Sequence, residues 1–208
     1  MREESILEPG FIPVLVPPAA SHPLPYYVES SDYMGQPLGT GVPIALYAWN
    51  YDVAYQAGDL SRMTIPHLKM DDLLREATWT FKKFVLVGRL VFPDALFRPN
   101  ESEIAADLSN QALGEYGHEI RPYLNIYECL YLDKDLMDSH RTKRLMAAEE
   151  IVHWLRFHGG VSFFRYITPA VTTKEKEDLS VASPRILWAK WTAPYRVKEE
   201  NYVYTQPE

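Results

Sequence analysis

The sequence predicts an α/β fold: a mixed sheet with a central β-α-β crossover, preceded by an extended Pro-rich N-terminal arm. Three observations lead there. The stretch between Pro122 and Pro169 reads as strand, charged loop, helix, Gly-Gly stop and strand, the order of a crossover joining two parallel strands. The runs Ile44 to Trp49 and Phe84 to Phe92 are short and apolar, as buried strands are. Eight of the 16 prolines fall before Ile44, a density that excludes helices and central strands there.

Taken in order, residues 1–43 form the arm, with turns expected near Gly35 and Gly39-Thr-Gly41. Phe11, Ile12, Val14, Leu24, Tyr26, Tyr27 and Val28 give it more apolar surface than a solvated linker needs, so it should cover either its own domain or a neighbouring subunit. Residues 44–208 form one α/β domain. After the strand from Ile44, Asn50-Tyr51-Asp52 reads as a turn. Leu73, Leu74, Ala77 and Phe81 then fall at helical spacing from a start near Lys69 or Met70, with Asp71 and Asp72 in the first turn and Lys82 and Lys83 at the end. Gly88 interrupts the strand from Phe84 and marks a bulge or a close approach. Asn100-Glu-Ser-Glu103 has the form of a capping box for a helix to about Leu113. Tyr123 to Leu132 suits a strand covered on both faces.

Ser139 is placed to cap the crossover helix. Its apolar stripe is Leu145, Ala148, Val152 and Leu155, and His158-Gly159-Gly160 ends it before a strand within Val161 to Ile167. The polar run from Thr172 to Pro184 reads as an exposed loop, and strands follow at Arg185 to Trp191 and Tyr202 to Tyr204.

At 208 residues and 47% hydrophobic content, the chain is long enough for one full core. A formal net charge of -7 and the lack of a basic stripe argue against direct nucleic-acid binding. Cys129 stands alone, so no intramolecular disulfide forms, and its place in a strand suits a packed thiol. No apolar run approaches a membrane span, and the first residues lack the order of a secretory signal. These features point to a cytoplasmic or virion protein that is not secreted.

The layout from Tyr123 to Ile167 resembles the central part of the GNAT family, the acyl-CoA N-acyltransferases. In that family a Gln/Arg-x-x-Gly-x-Gly/Ala loop opens a helix whose amides hold the CoA pyrophosphate. Arg141 matches its first position, while Arg144 and Met146 stand where the family has small residues. The resemblance covers the second half of the chain. It implies that Arg141, Thr142, Lys143, Arg144 and Leu145 would form the acetyl-CoA site, that Glu128 would be the general base and that Tyr166 would protonate the leaving thiolate. Read from the residues alone, Glu128 is more simply a strand-edge carboxylate paired with a nearby cation, and Tyr166 a packing residue. Glu150-Ile-Val-His153 and Glu115-Tyr-Gly-His118 share a di-metal spacing. The glycines within and before the second motif break any helix there, so no metal site is expected.

The bulky side chains that replace glycine in the loop, the apolar arm and the cluster Trp188, Trp191, Tyr195, Tyr202 and Tyr204 together lead to one functional expectation. It is a catalytically silent GNAT-like protein without a cofactor, a structural or interaction component of a larger assembly such as a phage virion. Its protein subunit contacts would run through residues 1–43 and the C-terminal aromatic segment. The alternative is an acyl-CoA-dependent N-acetyltransferase using acetyl-CoA.

Overall fold

The computed structural model describes residues 31–37, 41–57, 62–63, 68–91, 123–159, 163–183, 186–195 and 202–205. In chain order the elements are β1 (Tyr33–Pro37), β2 (Val42–Trp49), β3 (Asp52–Ala57), β4 (Arg62–Met63), α1 (Leu68–Phe81), β5 (Lys83–Val91), β6 (Tyr123–Leu132), α2 (Arg141–Gly159), β7 (Phe164–Tyr166), α3 (Thr173–Ala182), β8 (Ile186–Lys190) and β9 (Tyr202–Thr205). They build two sheets. The larger has six strands in the order β4-β3-β2-β5-β6-β7, antiparallel except for the parallel pair β6 and β7. The smaller is antiparallel, in the order β1-β8-β9.

Alternation along the strands decides what each face of the large sheet touches. Ile44, Leu46, Ala48, Phe84, Leu86, Leu90, Leu124 and Ile126 share one face and meet the helices, packing with Met70, Leu74 and Ala77 of α1 and Ala148, Ile151 and Leu155 of α2. Each such buried side chain contributes on the order of 1.5–3 kcal/mol. The opposite face carries Ala45, Tyr47, Val85 and Val87 and has no helix on it among the described residues.

The crossover β6-α2-β7 is present as the spacing predicts, and α2 stops at Gly159. A side chain at Gly159 would run into Leu73 of α1, with 2.0 Å between its Cβ and Cδ2, so this glycine also lets the two helices approach. Trp49 and Asp52 pair across a two-residue turn in which Asn50 and Tyr51 have φ of 43° and 72°, the left-handed pair that a tight hairpin needs.

Three local expectations are corrected. Gly35 lies mid-strand in β1, where the Trp188 ring leaves no room for a Cβ, and does not make a turn. Pro43 does enter the large sheet, but opposite Arg89 at a point where β2 pairs with β5 alone, so its missing N–H leaves no ladder bond broken on the other side. The run after Thr172 is the helix α3. Thr172 Oγ1 accepts from the Glu175 amide at 3.3 Å and Glu175 Oε2 accepts from the Thr172 amide at 2.9 Å, a capping box that starts a helix with little apolar content. The helix expected from Asn100 and most of the arm lie outside the described residues.

Gly88 sits where β5 and β6 come closest: a Cβ there would stand 2.1 Å from the carbonyl oxygen of Asn125. Backbone cannot give way as a side-chain tip can. Gly88→Ala should therefore destabilise the fold by about 3 kcal/mol, read as a lower denaturation midpoint, while Gly159→Ala, which meets a Leu side chain, should cost less.

Candidate functional site

Strand β6 has two bulges against β5. Val87 pairs with Glu128 but Gly88 with Ile126, leaving Tyr127 extra; Val85 pairs with Tyr131 but Leu86 with Cys129, leaving Leu130 extra. The first bulge reverses the alternation, so Glu128 pairs with Val87 of the helix-free face although Ile126, two residues earlier, is on the helix side. The second restores it.

Glu128 is 3% exposed and lies between two arginines from the start of α2 that have no exposed surface at all. Arg141 Nε donates to Oε1 at 2.6 Å and Arg144 Nε to Oε2 at 2.7 Å. Arg141 goes further and donates to Gln36 Oε1 and, at 3.4 Å each, to the carbonyls of Met34 and Ala189, while Gln36 Nε2 donates to the Ile167 carbonyl at 2.6 Å. One guanidinium thus ties β6 to both β1 and β8. Arg144 also donates to the Ser139 carbonyl and keeps a buried Nη2 without a hydrogen-bond partner. Burial pushes the Glu128 carboxyl up, but the charges and hydrogen bonds of Arg144 and Arg141 outweigh it and hold the carboxyl below its ordinary range.

Farther along the same sheet face, three adjacent strands place Arg89, Asn125 and Arg165 directly opposite one another. Arg89 Nη1 donates to the Gly41 carbonyl at 2.9 Å, and the Arg165 guanidinium lies 3.8 Å from the centre of the Tyr123 ring. Arg165 is exposed, and the buried Oδ1 of Asn125 accepts no hydrogen bond. Between this row and the β2–β3 turn is an apolar patch of Ala45, Tyr47, Val85, Val87 and Leu130, covered by Met137 and Tyr195. Among the described residues, Arg89 and Arg165 thus stand on this side of the sheet beside the Arg141–Glu128–Arg144 cluster, a grouping of guanidiniums suited to an anion.

The residues singled out in the sequence fall in different places. Glu128, Arg141 and Arg144 come together, but as a buried ion cluster turned inward. Leu145 is buried, Thr142 donates its amide to the Trp191 carbonyl at 3.3 Å, and Lys143 is exposed beside an open groove lined also by Lys134, Met146 and His153. Tyr166 pairs with Ile126 and packs against the helix-side core, starting from the face opposite Glu128. Burial, and then the charge of Glu149, push its hydroxyl pKa up. Cys129 is fully buried, its thiol pushed up to about 12 mainly by burial, as a packed thiol should be. Gln36, Arg89, Asn125 and Arg165 were not picked out. The available signal was a lone arginine inside each of two apolar runs, FVLVGRLVF and VSFFRYI. Among the described residues no cluster of His, Cys, Asp or Glu could hold a metal ion, and no helix is long and apolar enough to cross a membrane; Glu115 and His118 lie outside them.

Removing Glu128 would strand two buried cations. Glu128→Ala should cost about 3–5 kcal/mol of stability. Because the folded carboxyl titrates below its unfolded value, its contribution is present above about pH 4.3 and is lost as pH falls through the folded value. Acid unfolding followed by circular dichroism should accordingly show a shallower acid limb in Glu128→Gln than in the natural chain.

No protein-family model and no curated protein matches the chain. Solved structures do match its fold. The ligase domain of LigD from M. tuberculosis superposes with a TM-score of 0.59 at 15% identity, over 85% of this chain and 54% of that one. Mycobacterial DNA ligase D in complex with ATP and MES gives 0.60 at 14% identity, over 91% and 60%. The ATP-dependent DNA ligase of bacteriophage T7, in complex with ATP, gives 0.56 at 12% identity, over 85% and 63%. This chain thus spans between half and two thirds of the length of these ligase structures. The match overturns the GNAT resemblance, and with it the silent virion component and the acetyl-CoA transferase; the roles expected of Glu128, Tyr166 and residues 141–145 came only with that resemblance. A single parallel crossover is common to many α/β folds, whereas the likeness to the ligase structures covers 85% or more of this chain.

Proposed function

We propose that this chain is a nucleotide-binding domain with a DNA-ligase-like fold that takes ATP on the helix-free face of its large sheet. The observation that carries the reading is the row Arg89, Asn125 and Arg165 across β5, β6 and β7. Guanidiniums bind phosphate oxygens through paired N–H groups, and a bound polyphosphate would reach across Asn125 between Arg89 and Arg165, whose strands stand about 10 Å apart. Support comes also from the fold: two of the similar ligase structures are complexes with ATP. In a nucleotidyl transfer the same positive charges would stabilise negative charge as it shifts along the phosphates. The apolar patch beside the row is suited to a base.

Arg165 is the better probe of the two arginines, because it is exposed and makes no backbone hydrogen bond among the described residues. Calorimetric titration with ATP should show binding that weakens with added salt, and Arg165→Ala should weaken it about tenfold, equivalent to about 1.4 kcal/mol. Arg75→Ala, which removes a surface partner of Asp71 and Asp72 on α1, should leave it unchanged. A chain that binds no ATP at millimolar concentration would sink the reading.

A further inference from the structure

We infer that Tyr195 occupies the seat of the nucleobase and must leave it for ATP to bind fully, an inference that rests on the nucleotide-binding reading above. Beyond β8 the chain turns back, with the Ala193 amide donating to the Lys190 carbonyl at 3.0 Å, and returns to the large sheet, where the Tyr195 amide donates to the Met137 carbonyl at 2.6 Å. The Tyr195 ring then lies on the apolar patch and is 5% exposed.

Two features mark this as a seat for a flat ring. Its floor is made of small or flat-sided residues, Ala45, Val85 and Val87, on neighbouring strands, so it accepts a planar aromatic group without a deep cleft. It also adjoins phosphate-binding chemistry: along β5 the same face runs Val85, Val87, Arg89, and the step from Val87 to Arg89 is about 7 Å, comparable with the reach from a base to its phosphates. The Arg144 guanidinium lies over the Tyr195 ring, 5.8 Å from its centre. A ring on such a patch competes with any base brought there, and the competition lowers the apparent affinity for the nucleotide by the fraction of molecules in which the seat is open. The phosphates alone do not need the patch.

The test compares ATP with inorganic triphosphate, which carries the phosphates and no base, on the full chain and on Tyr195→Ala. ATP should bind Tyr195→Ala roughly fivefold or more tightly than the natural chain, with triphosphate affinity the same in both. Equal or weaker ATP binding by the variant, with triphosphate still bound, would overturn the inference and make Tyr195 a wall of the site. Failure of both ligands to bind either protein would instead overturn the nucleotide-binding reading. If Tyr195→Ala does not fold, hydrogen exchange on the natural chain decides: ATP should speed exchange of the Tyr195 amide and triphosphate should not, whereas slowed or unaltered exchange with ATP bound would reject the displacement.

Discussion

A single buried carboxylate holds the two sheets in their relation. Glu128 receives Arg141 and Arg144 on its two oxygens, and Arg141 then extends to Gln36, Met34 and Ala189 on the small sheet. The small sheet has an apolar cluster of its own around Ile186 and Trp188, packed with Tyr33 and Leu179 and distinct from the helix-side core of the large sheet. Apolar contact alone would fix neither the angle nor the register between them, because it is non-directional. Hydrogen-bonded guanidinium geometry supplies that direction. The desolvation of three charges is offset only because each carboxylate oxygen is matched to its own arginine, and the surplus cation is what leaves Arg144 Nη2 without a partner.

This arrangement depends on the bulge at Tyr127. With regular alternation Glu128 would share the helix-side face with Leu124 and Ile126, where a carboxylate would lie among Leu86, Ile151 and Leu155. One extra residue moves it to the other face and so divides the sheet by chemistry. The helix side is dry and apolar, while the opposite side collects arginines, amides and tyrosines. Gly88 is the counterpart on β5, since only a residue without a side chain lets the two strands close around the irregularity.

Strands β2, β5, β6, β7, β8 and β9, the turn at Asn50 and Tyr51 and the crossover were legible because each follows from local apolar runs and turn residues, whereas β1, β3 and β4, short and without such a run, were not. The faces of β6 were not, because a bulge leaves no mark on composition. The capping box at Thr172 was legible in principle; the charged residues after it concealed a helix that buries little beyond Lys176. The most instructive misreading concerns Arg141 and Arg144. Continued one turn towards the N-terminus, the stripe Leu145, Ala148, Val152 and Leu155 reaches both of them, which places them on the buried side of α2, and a buried arginine needs a carboxylate. Only one acidic residue, Glu128, lies within the adjacent strand. The ion cluster could have been derived from that phase. A likeness to a phosphate-binding loop instead turned the arginines outward, and a crossover shared by many folds gave the likeness its apparent breadth.

Net charge is a coarse guide for a related reason. A total of -7 describes the whole surface, yet Asp72, Glu76, Glu149, Glu150, Glu175, Glu177 and Asp178 are exposed on the three helices, while Arg89 and Arg165 stand on the helix-free side of the sheet. Charges separated by more than about 10 Å are largely screened from one another at ordinary ionic strength, so an anion approaching the open face meets mainly the arginines there. A field set by a few nearby groups can therefore differ in sign from the net charge of the chain. The total over a whole sequence says little about which ions one face of a sheet attracts, because the exposed charges on the helices, Lys143, Arg156 and Lys174 among them, partly cancel while a row set by strand register does not.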